Sequence, residues 1–199
     1  ERFFMIVCPM TRSYSEPLHA HGAEDAIPEY LQNISPFPRN GKDYLGFYNA
    51  WRAVFPGQCM IFDYHYMWDT HKDYSALALP RVLHADVTAL RKLGMSGFIS
   101  CQNHRVFFPN GLGMEAMAAG LWDEHSDFES IAAEYFRSAY GAPYAAARAY
   151  FRAVEEFLPP RLLRGEGSED EKLAAAQRFA NPGPAGLIAQ VQPAVTEGL

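Results

Sequence analysis

Along the first hundred residues of the chain, continuous apolar runs alternate with segments whose apolar residues recur at helical spacing. Three apolar runs predict β-strands at 3–8, 59–67 and 96–101. Apolar positions spaced three and four residues apart predict helices at 44–55 and 79–93. Alternating strands and helices predict an α/β fold of parallel βα units, in which functional side chains gather at the carboxyl ends of the strands.

The rest of the pattern predicts a long connection and a helical second half. Residues 11–43 are rich in Ser, Pro, Asn, Gly and His, and loops of this length usually work as lids or binding walls. Beyond a glycine- and proline-containing loop at 106–113, helices are predicted at 114–122, 127–140, 143–157, 169–180 and 185–195. We therefore divide the chain into a partial (β/α) barrel, 1–141, and a helical extension, 142–199.

Charge and composition narrow the choice of partners. The 199 residues are 49% hydrophobic, enough for one substantial core, and the net charge is −6 without a cluster of Lys and Arg. We therefore expect neither a nucleic-acid partner nor an anionic membrane partner. The three cysteines cannot all pair, and we interpret them as buried thiols of a reduced protein, with a zinc site across strand ends left open.

The predicted strands are too few for a closed barrel. A complete (β/α)₈ domain needs about 250 residues, and an open three-stranded sheet leaves its edges exposed. The chain also opens inside an apolar run without an initiator Met. We expect that an upstream barrel segment or another chain covers these edges.

A series of motifs in the second half carries a family resemblance. The series consists of Gly120-Leu121-Trp122-Asp123, Asp127, Ile131, Glu134-Tyr135-Phe136, Tyr140-Gly141 and Tyr150. It resembles the end of the barrel in bacterial α-glucuronidases, and still more an uncharacterised bacterial glycosidase-like family, a domain of unknown function related to them. The resemblance covers about 47–157. It implies the C-terminal part of a TIM (β/α)₈-type barrel from a carbohydrate-active protein.

Glycoside hydrolysis usually needs two carboxyl groups, one acid and one nucleophile or base. Strand alternation puts Asp63 and His65 on one face, together with Cys59 and Ile61. If that face points into the barrel, Asp63 is a catalytic or substrate-binding carboxylate and His65 donates a hydrogen bond to the sugar. Alternatively, Asp63 ties down a loop and His65 is a buried histidine with its hydrogen bonds satisfied. Glu115, near a predicted helix start, is the second catalytic candidate, although helix first turns favour acids in any case.

Further polar and aromatic residues at the strand exits are candidates for substrate binding. Tyr64, Tyr66 and Trp68 predict an aromatic platform for sugar rings, or packing beneath helices. After the third strand, the side chains of Gln102, Asn103 and His104 can recognise hydroxyl groups of a sugar. Alternatively, Asn103 and His104 cap the loop. The predicted substrate-binding residues are His65, Tyr66, Trp68, Gln102, Asn103, His104, Arg12 and Tyr14.

The resemblance and the candidate residues predict a glycoside hydrolase-like protein acting on O-glycosidic bonds of poly- or oligosaccharides, including uronic or amino sugars. This chemistry requires no cofactor, and the expected partner is a carbohydrate substrate. The general acid of related enzymes has no identifiable counterpart in the sequence. The alternatives are a non-catalytic carbohydrate-binding or structural fragment, and a metal-dependent hydrolase that uses His65, His104 and a carboxylate.

Overall fold

The described part of the chain forms an α/β structure with one parallel sheet. The computed structural model describes residues 3–24, 27, 29, 31–35, 37–103, 110–180, 185, 186 and 189. Within these residues there are three strands, one 3₁₀ helix and seven α-helices. The predicted α/β class and the parallel strands are confirmed. The predicted helix at 185–195 lies mostly outside the described residues.

The sheet has the strand order β1-β2-β3. Its strands are β1 (Met5–Val7), β2 (Cys59–Asp63) and β3 (Gly97–Ser100). Met5 pairs with Cys59, and Asp63 pairs with Ser100, so the three carboxyl ends lie side by side. Strand β2 is shorter than predicted because Asp63 Oδ1 accepts a hydrogen bond from the His65 backbone N–H at 3.0 Å, which turns the chain.

Most helices start and end within three residues of the predicted positions, but the helix predicted at 79–93 ends at residue 89. They are α1 (Gly41–Val54), α2 (Ala78–Ala89), α3 (Leu112–Trp122), α4 (Phe128–Tyr140), α5 (Tyr144–Phe157), α6 (Pro160–Leu163) and α7 (Glu169–Ala180). The Asn40 side chain accepts from the Asp43 N–H and starts α1 three residues earlier than predicted. Asp127 caps α4 in the same way, and Gly141, with φ of 63°, ends it. The 3₁₀ helix (Asp69–Lys72) and α6 were not predicted.

The two faces of the sheet are covered differently. Cys59 and Ile61 of β2 belong to one buried cluster with Leu45 of α1 and Leu83 of α2. Both helices therefore pack on the same face. The other face carries Ile6, Met60, Phe62 and Ile99, which remain partly exposed. Tyr64, just beyond the end of β2, is partly buried against the first cluster and contacts Phe62 edge-on at 5.1 Å.

A second buried cluster joins the later helices. Leu112 and Ala116 of α3 pack with Phe128, Ala132 and Phe136 of α4. Helix α3 also rests closely on α2: a Cβ atom built on Gly120 would lie 2.6 Å from Val87 Cγ2. Only glycine allows this distance between the two helices. In the described residues, no helix has the length and apolar character needed to span a membrane.

Candidate functional site at the strand exits

Four charged side chains form a buried cluster beneath the carboxyl ends of β1 and β2. This buried charge cluster consists of Arg12, Asp63, His65 and Asp86. Arg12 Nη2 forms an ion pair with Asp86, and His65 Nε2 lies 2.8 Å from Asp86 Oδ2. His65 Nδ1 pairs with Asp63 on its other side. Each of these side chains is at most 4% exposed, so each charge depends on the others for compensation.

The cluster is electrically balanced when His65 is protonated, because two cations then face two carboxylates. Burial alone would lower the pKa of His65, but Asp63 and Asp86 outweigh it and raise that pKa above its ordinary value. Burial would raise the pKa of Asp86, yet Arg12 and His65 lower it. Burial opposes the charge of Arg12 too, and Asp86 and Asp63 still raise its pKa. All three shifts favour the charged forms.

Backbone geometry and Tyr14 hold the cluster in place. The segment after β1 turns back, so the Tyr14 ring lies 4.3 Å from Arg12 Cζ and 4.8 Å from the His65 ring. The Tyr14 hydroxyl accepts from the Tyr64 N–H and donates to the Pro9 carbonyl. Asp86 Oδ1 also accepts from the Leu18 N–H at 2.6 Å. The predicted residues Arg12, Tyr14, Asp63 and His65 therefore lie together, on the sheet face that the helices cover.

An open cleft lies over the exits of β1 and β2. Its volume is about 990 Å³, and we call it the strand-exit cleft. Two of its walls follow the strands: residues 10–13, 15 and 16 come after β1, and residues 68, 69 and 72 come after β2. Arg161, Arg164, Gly165 and Glu166 of the C-terminal segment also line it. The predicted extension thus contributes directly to the surroundings of the strand exits.

The aromatic residues after β2 divide between the cleft and the core. Trp68 lines the cleft, is 41% exposed and contacts the Tyr64 ring edge-on at 5.7 Å. Tyr66 is buried, and its hydroxyl lies where a Cβ atom on Gly113 of α3 would be. Burial, with a contribution from Asp73, raises the pKa of Tyr66. Trp68 is therefore the one of this pair that a ligand can reach directly.

The polar residues after β3 form local hydrogen bonds. Gln102 Nε2 donates to Ser100 Oγ at 2.9 Å, and the Gln102 side chain is exposed. Asn103 Nδ2 donates to the Met67 carbonyl at 3.0 Å, while the Asn103 N–H donates to the Tyr66 carbonyl. Asn103 therefore ties the exit of β3 to the turn after β2. His104 lies outside the described residues.

Glu115 and Asp63 occupy different surroundings. Glu115 is exposed in the first turn of α3. The pKa of Tyr135 is raised mainly by burial, and the charge of Glu115 raises it further. Asp63 is buried, and its Oδ2 has no hydrogen-bond partner among the described residues. The cleft has its own carboxylates, Glu16, Asp69 and Glu166. Catalytic roles for Asp63 and Glu115 stay predictions.

Sequence reasoning missed Asp86 and Arg164. Asp86 had a readable signal, because it interrupts the apolar stripe of the predicted helix between Leu83 and Val87, where a carboxylate needs a buried partner. Arg164 Nε donates to Asp69 Oδ1 at 2.6 Å, and its Nη1 donates to Ser15 Oγ at 3.1 Å. These contacts join residues 95 and 149 positions apart, and no local pattern predicts them.

The three cysteines differ in exposure. Cys59 is buried, Cys101 is partly buried and Cys8 is exposed, and all three are free thiols. The expectation of buried thiols therefore applies fully to Cys59 alone. In the part of the chain that the structure describes, no group of three or more His, Cys, Asp or Glu residues is placed to hold a metal ion.

Comparisons with known proteins add no relative. No family model, no curated protein and no solved structure matches the chain. What the fold and the site define is an α/β protein with a buried charge cluster and an open cleft at the carboxyl ends of parallel strands.

Proposed function

We propose that this chain is the C-terminal part of a glycoside hydrolase-like (β/α)₈-type barrel, whose strand-exit cleft binds a poly- or oligosaccharide for hydrolysis of O-glycosidic bonds. The observation that carries this proposal is the position of the cleft. A cavity of about 990 Å³ at the carboxyl ends of adjacent parallel strands is where βα proteins place their active sites.

The two unlike sheet faces support the barrel part of the proposal. In a (β/α)₈ barrel, helices cover the outer surface of the strands and apolar side chains fill the interior. Helices α1 and α2 pack on one face here, while Met60 and Phe62 remain partly exposed on the other. In a closed barrel, Met60, Phe62 and Tyr64 would point inward. Asp63 and His65 would lie between the strands and the helices.

The lining of the cleft suits a sugar. Sugar rings present C–H faces that pack on aromatic surfaces, and their hydroxyl groups need both donors and acceptors. Trp68 and Phe37 supply aromatic surface. Thr11, Ser13 and Ser15 contribute hydroxyl groups, and the charged residues of the lining supply partners for stronger, charge-assisted hydrogen bonds with a sugar.

Catalysis requires two carboxyl groups facing each other across the bound sugar. Asp63 and Glu115 are the pair predicted from the sequence, but neither of them lines the cleft. The cleft carboxylates Glu16, Asp69 and Glu166 are further candidates because their residues line the cavity. In this proposal, the buried charge cluster fixes the loops that follow β1 and β2, so that the cleft keeps its shape when a ligand enters.

One observation favours a second candidate, a carbohydrate-binding protein without hydrolytic activity. Asp63, predicted as a substrate-binding or base carboxylate, is paired inside a balanced buried cluster. A carboxylate held in this way stabilises the structure without contacting a ligand. The two candidates share the cleft and differ only in turnover.

The experiment combines binding and hydrolysis on the same panel of oligosaccharides. We expect Trp68→Ala to weaken binding about tenfold or more and to reduce hydrolysis equally, because the aromatic surface of the cleft is lost. Trp122→Ala is the matched control, since Trp122 is 93% exposed and does not line the cleft. Binding without turnover would select the second candidate. If no sugar binds, or if both variants behave alike, the proposal fails.

A further inference from the structure

The C-terminal segment forms a wall of the strand-exit cleft through one buried arginine. The Arg164 side chain is 4% exposed and is held by Asp69 and by Ser15. Ser15 Oγ in turn donates to Glu166 Oε2 at 2.5 Å. Arg164 is therefore fixed against residues that follow both β1 and β2, although it lies far from them in sequence.

Arg164 keeps a donor unused. Its Nη2 is buried and has no hydrogen-bond partner among the described residues, and the same is true of Arg12 Nε and Nη1. A guanidinium group presents its N–H donors in a planar fork that matches an oxyanion. Burying a charged donor without an acceptor is unfavourable, so Arg164 Nη2 calls for an acceptor that the described residues do not supply.

The charges around the cleft favour an anion as the missing acceptor. Its lining includes Arg12, which Asp86 of the balanced buried charge cluster already compensates. Four further basic residues then stand against three acidic ones: Arg39, Lys72, Arg161 and Arg164, with Glu16, Asp69 and Glu166. The whole chain carries a net charge of −6. The cleft is thus locally cationic on an anionic protein, and a concave surface with such lining concentrates anions.

We propose that the strand-exit cleft contains an oxyanion subsite, in which Arg164 binds a carboxylate, phosphate or sulfate group of the ligand. The inference rests on the proposed function only in placing this group on a carbohydrate. The C-terminal segment is then part of the binding site. A ligand that carries the oxyanion binds more tightly than its neutral counterpart.

The test measures binding of small anions by calorimetry at low ionic strength, without any turnover. The probes are inorganic phosphate, inorganic sulfate and glucuronate, with glucose as the neutral comparison. We expect at least one anion to bind and glucose to bind at least tenfold more weakly. Phosphate or sulfate binding alone identifies an ester group, whereas glucuronate binding alone identifies a carboxylate.

Two variants separate the role of Arg164 in binding from its role in folding. Arg164→Lys keeps the charge and loses the fork, and Asp69→Asn/Arg164→Gln removes both members of the ion pair, which avoids an unpaired Asp69. We expect anion affinity to fall about threefold or more in the first and about tenfold or more in the second. Circular dichroism checks that both variants are folded.

Arg91→Gln is the matched control for simple charge loss. Arg91 is 84% exposed, pairs with Glu124 and does not line the cleft. We expect its anion affinity to stay within about twofold of the parent. The inference fails if no probe binds, if Arg164→Lys and the double variant bind as the parent does, or if Arg91→Gln loses as much affinity. If no anion probe binds while the unmodified protein still hydrolyses a neutral oligosaccharide, the inference fails and the proposed function stands.

Discussion

Both faces of the three-stranded sheet carry apolar side chains, but within the described residues helices cover only one of them. On the covered face, Cys59 and Ile61 are each 1% exposed beneath α1 and α2. On the open face, Ile6 is 42% exposed. The covered face also holds the buried charge cluster. The helices therefore provide both the apolar contacts and, through Asp86, a charge that the strand residues need.

The difference shows that the buried charged residues and the residues accessible to a ligand lie in different parts of this molecule. The charged residues that sequence patterns single out at the strand exits lie mainly under the helices, where they stabilise the loops. The residues that solvent and ligands can reach lie in the cleft above them, and several come from the C-terminal segment. Strand alternation alone therefore does not separate the side chains that line the cleft from those buried under the helices.

The largest loss of stability is expected from removing Asp86, the charge that α2 contributes to the covered face. Asp86→Ala removes the carboxylate that pairs with both Arg12 and His65. Two buried cations are then left with one carboxylate, Asp63. Breaking a buried ion pair from one side costs about 3–5 kcal/mol, so the urea midpoint should fall sharply. Equilibrium unfolding followed by circular dichroism gives the measurement.

Glu171→Gln is the control for Asp86→Ala. It also breaks an ion pair with arginine, here Arg161, but both side chains are more than 40% exposed. We expect an unchanged midpoint, because water solvates the remaining charge. Similar losses in the two variants would show that the buried charge cluster has no special role in stability.

A smaller effect is expected from apolar truncation on the two sheet faces. Ile61→Ala removes a side chain from the covered core and should cost about 2–5 kcal/mol. Ile6→Ala, on the open face, should cost about 1 kcal/mol or less, because much of that side chain already contacts solvent. Equal losses of unfolding free energy would mean that the open face is as well packed as the covered one.

The smallest expected effect is a pH dependence of stability caused by His65 and Asp86 of the buried charge cluster on the covered face. His65 has a raised pKa, so its contribution is complete below the ordinary value of 6.5 and is lost as pH rises through the raised one. Asp86 has a lowered pKa, so its contribution is complete above the ordinary value of 3.8 and is lost as pH falls through the lowered one. We expect maximal stability between these limits.

Melting temperatures from pH 3 to pH 9 test this expectation. His65→Gln should remove the decline on the alkaline side, since the neutral amide has no proton to lose. Persistence of the same alkaline decline in that variant would assign it to another group.

The sequence predicted the order of the elements well because their apolar positions repeat with the period of the local structure. Helix α7 has the predicted bounds, and α4 and α5 each start one residue later than predicted. The end of β2 was placed four residues too late, at 67, because the side chain of Asp63 turns the chain while the apolar and aromatic pattern continues. Short helices such as α6 give too few residues for a period to show.

The site was predicted only in part. Arg12, Tyr14, Asp63 and His65 were singled out and lie together, yet the face they occupy depends on which side the helices pack. Strand alternation groups side chains by face and does not say which face is inside. The cleft wall from Arg164 depends on a contact across 95 residues, which only the folded chain reveals.

The contact between Arg164 and Ser15 has a consequence for the order of folding. It closes a loop of 149 residues, and long loops close late because their ends lose the most freedom. During synthesis, the residues of the three strands and of the two helices that cover them leave the ribosome before Arg164 does. The cleft gains its third wall at the end, and a chain halted at Phe157 would have a sheet without a finished pocket.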